Sequence, residues 1–111
     1  MPAPIHIEII EGILRDIENP ASFALFEMWR GGDEQTLLTH IVADADRFGC
    51  YEAQYMDAVL TQRGNVMLSR ALQFMSEDKN VFFVVGVAHT IGEGGLINSL
   101  SRLGYTVERI E

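Results

Sequence analysis

Along the first three-quarters of the chain, apolar residues recur every three or four positions, the spacing of one helical face. Ile9, Ile10, Ile13, Leu14 and Ile17 follow this rule behind Pro4, a residue suited to a first helical turn. Ile5-His6-Ile7 also alternates like a strand, so the start of this element reads both ways. Asn19-Pro20 offers a cap and a first-turn proline for a second helix with Phe23, Phe26, Met28 and Trp29. Gly31-Gly32 stops that helix, and Asp33 can cap a third, which carries Leu37, Leu38, Ile41, Val42 and Ala45. After a loop near 48–50, a long helical pattern runs from about Tyr51 to Ser76. Its stripe is Met56, Leu60, Arg63, Met67, Ala71 and Phe74, with Gly64 placed where it weakens the helix.

The period then changes. Val81–Val85 is a continuous apolar run between Asn80 and Gly86, the pattern of a strand buried on both faces. A glycine-rich turn from Gly86 to Gly95 follows. Next come a helix with Leu96, Leu100 and Leu103 stopped at Gly104, and an alternating segment from Tyr105 to Ile110. The expected fold class is therefore α/β. A helical part spans about 4–76, and a β-α-β unit with parallel strands and a right-handed crossover spans about 79–111. The 111 residues read as a single domain or a fragment of one. Two parallel strands do not make a stable sheet alone, so further partners are expected from another chain or another part of the protein. A homo-oligomer is one such arrangement.

Composition narrows the function classes. The formal net charge of −8 leaves no basic patch for nucleic acid or an anionic membrane. One cysteine, Cys50, excludes an intrachain disulfide without fixing the compartment. No apolar run is long enough for a transmembrane segment, and no signal peptide is visible after Met1.

Candidate chemistry collects after the first expected strand. Ligands of open α/β sheets sit beyond the carboxyl ends of strands, and His89 lies four residues past Val85. A neutral imidazole there can ligate a metal or move a proton near pH 7, or it can simply hydrogen-bond its own loop. Gly86 lets the backbone approach a ligand, and Gly94-Gly95 opens a helix whose N–H groups can hold an anion. Glu93 is a metal ligand or base in one reading and a solvated first-turn carboxylate in the other. Arg63 on an apolar stripe calls for a partner: it snorkels, pairs with a structural carboxylate, or clamps an anionic group. No HExxH, CxxC, GxSxG or phosphate-loop pattern is present.

Together, Thr61-Gln62-Arg63-Gly64-Asn65-Val66-Met67, the segment from Val81 through Gly86-Val87-Ala88-His89 to Gly92, Gly95-Leu96 and Leu103-Gly104-Tyr105-Thr106-Val107 resemble the C-terminal half of the TraB/GumN family, relatives of the TIKI metalloproteases. Trp29-Arg30-Gly31-Gly32-Asp33 with Leu37-Leu38 resembles that family's helical insert. The resemblance puts the second Gly-x-x-His motif on Gly86 and His89. It implies half of a larger α/β domain, with an N-terminal half elsewhere. It also implies metal-dependent, peptidase-like hydrolysis, in which His89 is a ligand or general base and Arg63 orients substrate or a carboxylate; with Glu93 as the second candidate ligand, Mn, Co or Zn are the candidate metals. Two departures stand against this. The family's Glu-Arg-Asn reads Gln62-Arg63-Gly64, and the first Gly-x-x-His motif is absent. A lone histidine falls short of the three protein ligands usual in a catalytic site, so this chain alone is expected to be inactive. The alternative expectation is a non-catalytic module that binds a peptide or a small anionic ligand and works as an oligomer.

Overall fold

The computed structural model describes residues 1–18 and 23–110. The expected Asn19-Pro20 cap lies outside the described residues. The chain divides into two compact units, Met1–Met56 and Asp57–Glu111.

The first unit holds α1 (Ala3–Glu18), α2 (Phe23–Gly31), α3 (Glu34–Ala45), a 3₁₀ segment (Asp46–Tyr51) and α4 (Glu52–Met56). The ambiguous start resolves as helix. Ile5 is buried against Ala45 and Phe48, with Ile9, Tyr51, Tyr55 and Met56 packed around them. The Phe48 and Tyr55 rings stack at 4.0 Å, and the Arg47 guanidinium lies 5.1 Å from the Phe48 ring centre. Gly12 makes room for that guanidinium, because a Cβ there would sit 2.7 Å from Arg47 Nη1. Asp33 caps α3 as expected. Its carboxylate accepts from the Thr36 N–H at 3.1 Å and the Thr36 hydroxyl at 2.6 Å, which holds its pKa below the ordinary value. The apolar stripe of α1 differs from the expectation. Of its residues only Ile9 packs on the core, beside Ile5, while Ile10, Ile13, Leu14 and Ile17 are exposed.

The helix expected from about Tyr51 to Ser76 is three helical segments, α4 of the first unit and, in the second unit, a π-helical turn (Asp57–Gln62) and α5 (Arg63–Met75). Gly64 lies inside α5 without breaking it. Ala71 is buried on the predicted stripe, and Phe74 meets Phe83 at 5.9 Å. A 3₁₀ turn (Val87–His89) and α6 (Leu96–Arg102) follow. Gly104, at φ 93°, stops α6 as expected. Its N–H donates to Ser101 O at 3.0 Å and that of Tyr105 to Leu100 O at 3.1 Å, the paired bonds of a Schellman ending.

The α/β expectation fails here. Among the described residues there is no strand, so neither Val81–Val85 nor 105–110 joins a β-α-β unit or a parallel sheet. The described part is helical, and these two segments belong to no helix and no ladder. Phe82 is 93% exposed and Val84 74%, so the run is not buried on both faces. An apolar, β-branched run specifies an extended backbone; a ladder also needs a second edge at hydrogen-bonding distance, and the described residues bring none to it.

Candidate functional site

The turn from Gly86 to Gly95 is built by its own backbone and by α6. His89 N–H donates to Gly86 O at 3.0 Å, and Thr90 closes on Val87 O through both its N–H (2.9 Å) and its hydroxyl (2.7 Å). Three bonds then tie the turn to the helix behind it. Ile97 N–H reaches Thr90 O at 3.3 Å, the Asn98 amide reaches Gly92 O at 2.7 Å, and Arg102 Nη2 reaches Glu93 O at 2.7 Å. Gly92 turns the chain at φ 82°, and Ile91 is buried beneath it. At Gly95 a Cβ would lie 2.2 Å from Ile91 O and 2.6 Å from Thr90 O, so only glycine fits.

This architecture holds His89 half-buried at the turn's first corner. Its Nδ1 is enclosed and has no hydrogen-bond partner. Burial of the ring lowers the His89 pKa below 6.5, and the positive charge of Arg63 lowers it further. The ring is therefore neutral at pH 7. An enclosed nitrogen without a partner is better tolerated as a bare acceptor than as an orphan N–H, which assigns the ring proton to Nε2. The corner thus offers one N–H donor in the field of one guanidinium.

Arg63 stands at the start of α5, exposed, where it lines a recess of about 360 Å³ with Ala58, Gln62, Val66 and Met67. The π turn shapes this recess. Residues five apart stack across it, as the 2.6 Å bond from Gln62 Nε2 to Asp57 Oδ2 demonstrates. Ala58 and Arg63, five residues apart, both line the recess.

The other sequence candidates fall out as follows. Gly86 sits next to the His89 ring, with room for a Cβ at 3.7 Å from Cδ2. Gly94 faces open space. The N–H of Gly95 is engaged with Gly92 O at 3.1 Å and that of Ile97 with Thr90 O, so both serve the turn. Glu93 has an exposed side chain and uses its carbonyl to hold Arg102. Asp57, Ala58, Val66 and Met67 were not singled out as site residues. Their signal was the five-residue spacing of Asp57 and Gln62, visible only once the pitch is known.

The sequence model of the TraB/PrgY/gumN family matches residues 1–109. The chain belongs to the TraB/PrgY/gumN family. No curated protein and no solved structure matches it significantly. Gly86 and His89 bound the first corner of the turn, and the positive charge of Arg63 lowers the pKa of that histidine. No helix of the described residues is long and apolar enough to cross a membrane.

Among the described residues no cluster of three His, Cys, Asp or Glu is arranged to hold an ion. The imidazole presents a guanidinium's positive charge, rather than a carboxylate, at its side.

Proposed function

We propose that this TraB/PrgY/gumN-family chain binds a small anion, most simply a carboxylate, through Arg63, with neutral His89 as its hydrogen-bond partner. What supports this reading is the exposed Arg63 at a recess of the second unit and the half-buried His89 at the corner of a closed turn, with the charge of Arg63 lowering the His89 pKa. A cation near an N–H donor is unfavourable when the site is empty, and the pair becomes favourable when an anion lies between them. Arginine is suited to the task because its planar fork matches two carboxylate oxygens. A bound anion would also stabilise the protonated ring, so the two groups are thermodynamically linked to the ligand.

The test is titration of the isolated chain with acetate and with inorganic phosphate, followed by the His89 ring signals in NMR. Saturable shifts are expected, with the His89 pKa rising on binding and affinity falling at least about tenfold in Arg63→Ala, the scale of one charge-assisted bond. Ring signals that stay still up to tens of millimolar anion would end the proposal.

A second reading is supported by family membership and by the neutral state of the imidazole, the form that ligates metals. In it the chain contributes His89 to a metal-dependent, peptidase-like hydrolase, with the remaining ligands supplied elsewhere. Millimolar Mn²⁺, Co²⁺ or Zn²⁺ would then raise the thermal midpoint in the parent and not in His89→Ala. Association of copies is the accompanying proposal, supported by the exposure of Phe82, Val84 and Ile110. A monomer by sedimentation at high micromolar concentration would remove it.

A further inference from the structure

We infer that α1 is an interface helix, packed in parallel against α1 of a second copy of this chain through Ile7, Ile10, Ile13, Leu14 and Ile17. This rests on the association of copies proposed above and names the surface that carries it. At about 100° per residue, α1 divides into three sectors. Ile5, Ile9 and Gly12 face the core, with Arg47 against Gly12. Glu8, Glu11 and Arg15 make a charged sector, where Arg15 reaches Glu8 at 2.6 Å and Glu11 at 3.9 Å, and Glu18 continues it. The five apolar residues of the third sector are 55–76% exposed. Ile7, Ile10, Leu14 and Ile17 follow one another at steps of three, four and three, the seam by which one helix packs along another. A single exposed isoleucine needs no explanation, but five along one sector of a helix that already serves the core with another mark an interaction face.

Charge selects the occupant and its direction. The two flanks of the apolar sector are unlike: Glu11 and Glu18 border it on one side, His6 on the other. In an antiparallel pair like flanks meet, which brings Glu11 of one copy to Glu18 of the other. In a parallel pair unlike flanks meet. His6 then faces Glu11 of the second copy and Ile13 faces Glu18, with no like charges opposed. The charged sector also argues against a lipid surface. Helices that lie on membranes carry Lys and Arg on the polar face, and α1 has only Arg15, which is held by Glu8 and Glu11. Since α1 is folded on its own unit, pairing does not have to supply the ordering that a free 16-residue peptide would need.

The experiment is sedimentation equilibrium of the full chain across the micromolar range. The parent is expected to be a dimer that dissociates on dilution. A half-covered isoleucine or leucine contributes about a fivefold gain in affinity. Ile10→Gln with Leu14→Gln removes two from each copy, so dimerisation should weaken at least about a hundredfold. Both positions are exposed and glutamine keeps the helix, so the thermal midpoint of the dilute chain should not move. In a Cys50→Ser background, Ile10→Cys should cross-link to itself in a glutathione redox buffer, because the parallel pair sets position 10 against position 10. Cross-linking of Ile10→Cys only with added Leu14→Cys chains would mean an antiparallel pair and overturns the inference as drawn. A dimer that survives the double glutamine variant also overturns it and leaves the association of copies in place; its loss in Phe82→Thr would then move the interface to Val81–Val85. A parent that stays monomeric at high micromolar concentration removes both the inference and the association. A monomer that floats with phosphatidylcholine vesicles assigns the face to lipid instead.

Discussion

Within the second unit, the turn from Gly86 to Gly95 and the apolar segments Val81–Val85 and 105–110 are in opposite physical states. The turn is closed on itself and tied to α6 by backbone and side-chain bonds, with Ile91 buried under it. The flanking segments leave Phe82, Val84 and Ile110 between 74% and 94% exposed. Local bonds within about ten residues suffice to build the first. The second needs a partner edge that the described residues do not contain. Site geometry in this chain therefore depends on the turn, which can hold its shape while its apolar flanks stay uncovered.

The sharpest break of that comparison is Gly95→Ala. Its Cβ would meet backbone atoms of Ile91 and Thr90 at 2.2–2.6 Å, which no rotamer can relieve. A loss of about 3 kcal/mol or more is expected by urea denaturation. Gly94→Ala, one residue away with nothing near its Cβ, should change stability by less than about 0.5 kcal/mol. Equal effects at the two positions would show that the turn is not packed as described. Next in size is Ile91→Ala, which empties the space under the turn. About 2 kcal/mol is expected, with the His89 NMR signals broadening in parallel.

The parts of this unit that were legible in sequence are those fixed by neighbours a few residues apart. Gly104 is recognisable as a helix stop because a left-handed φ favours glycine, and Asp33 as a cap because its carboxylate needs only the amide three residues on. The α-helical periods were legible for the same reason. The β-α-β unit was misread because strand propensity is local while strand pairing is not. The recess at Arg63 was missed because a π turn shifts stacking from four residues to five, and nothing in the apolar stripe records that change. The face of α1 was misassigned because apolar residues occur around much of the helix, so periodicity alone could not choose Ile5 and Ile9 over Ile10 and Leu14.

A smaller and pH-dependent effect sharpens the view of the turn as a site. Burial first, and Arg63 second, keep the His89 pKa below 6.5 in the folded chain. As pH falls through about 6.5 the unfolded chain takes up a proton that the folded chain still refuses. Stability is therefore full above that pH and declines below it, until the folded ring protonates too. His89→Gln should abolish this contribution to the acid-side slope. Arg63→Ala should raise the His89 midpoint part of the way, leaving it below 6.5 because burial remains. A His89 midpoint indifferent to Arg63 would separate the two groups and weaken the anion site.

The smallest effect is expected at Phe82, and it tests the other half of the comparison. A phenylalanine 93% exposed has little burial to lose, so Phe82→Thr should shift the urea midpoint by no more than about 0.5 kcal/mol in ΔG. Its neighbour Phe83 is 37% exposed and lies against Phe74 at 5.9 Å, so Phe83→Thr should cost about 1–2 kcal/mol. The asymmetry follows from the contact of Phe83 with Phe74 of α5, while Phe82 stands in the open. Equal and large losses at both positions would mean that the segment is covered on both sides in solution. A dependence of the Phe82→Thr effect on protein concentration would then identify the cover as a second copy, because only an intermolecular contact strengthens as the chains are brought together.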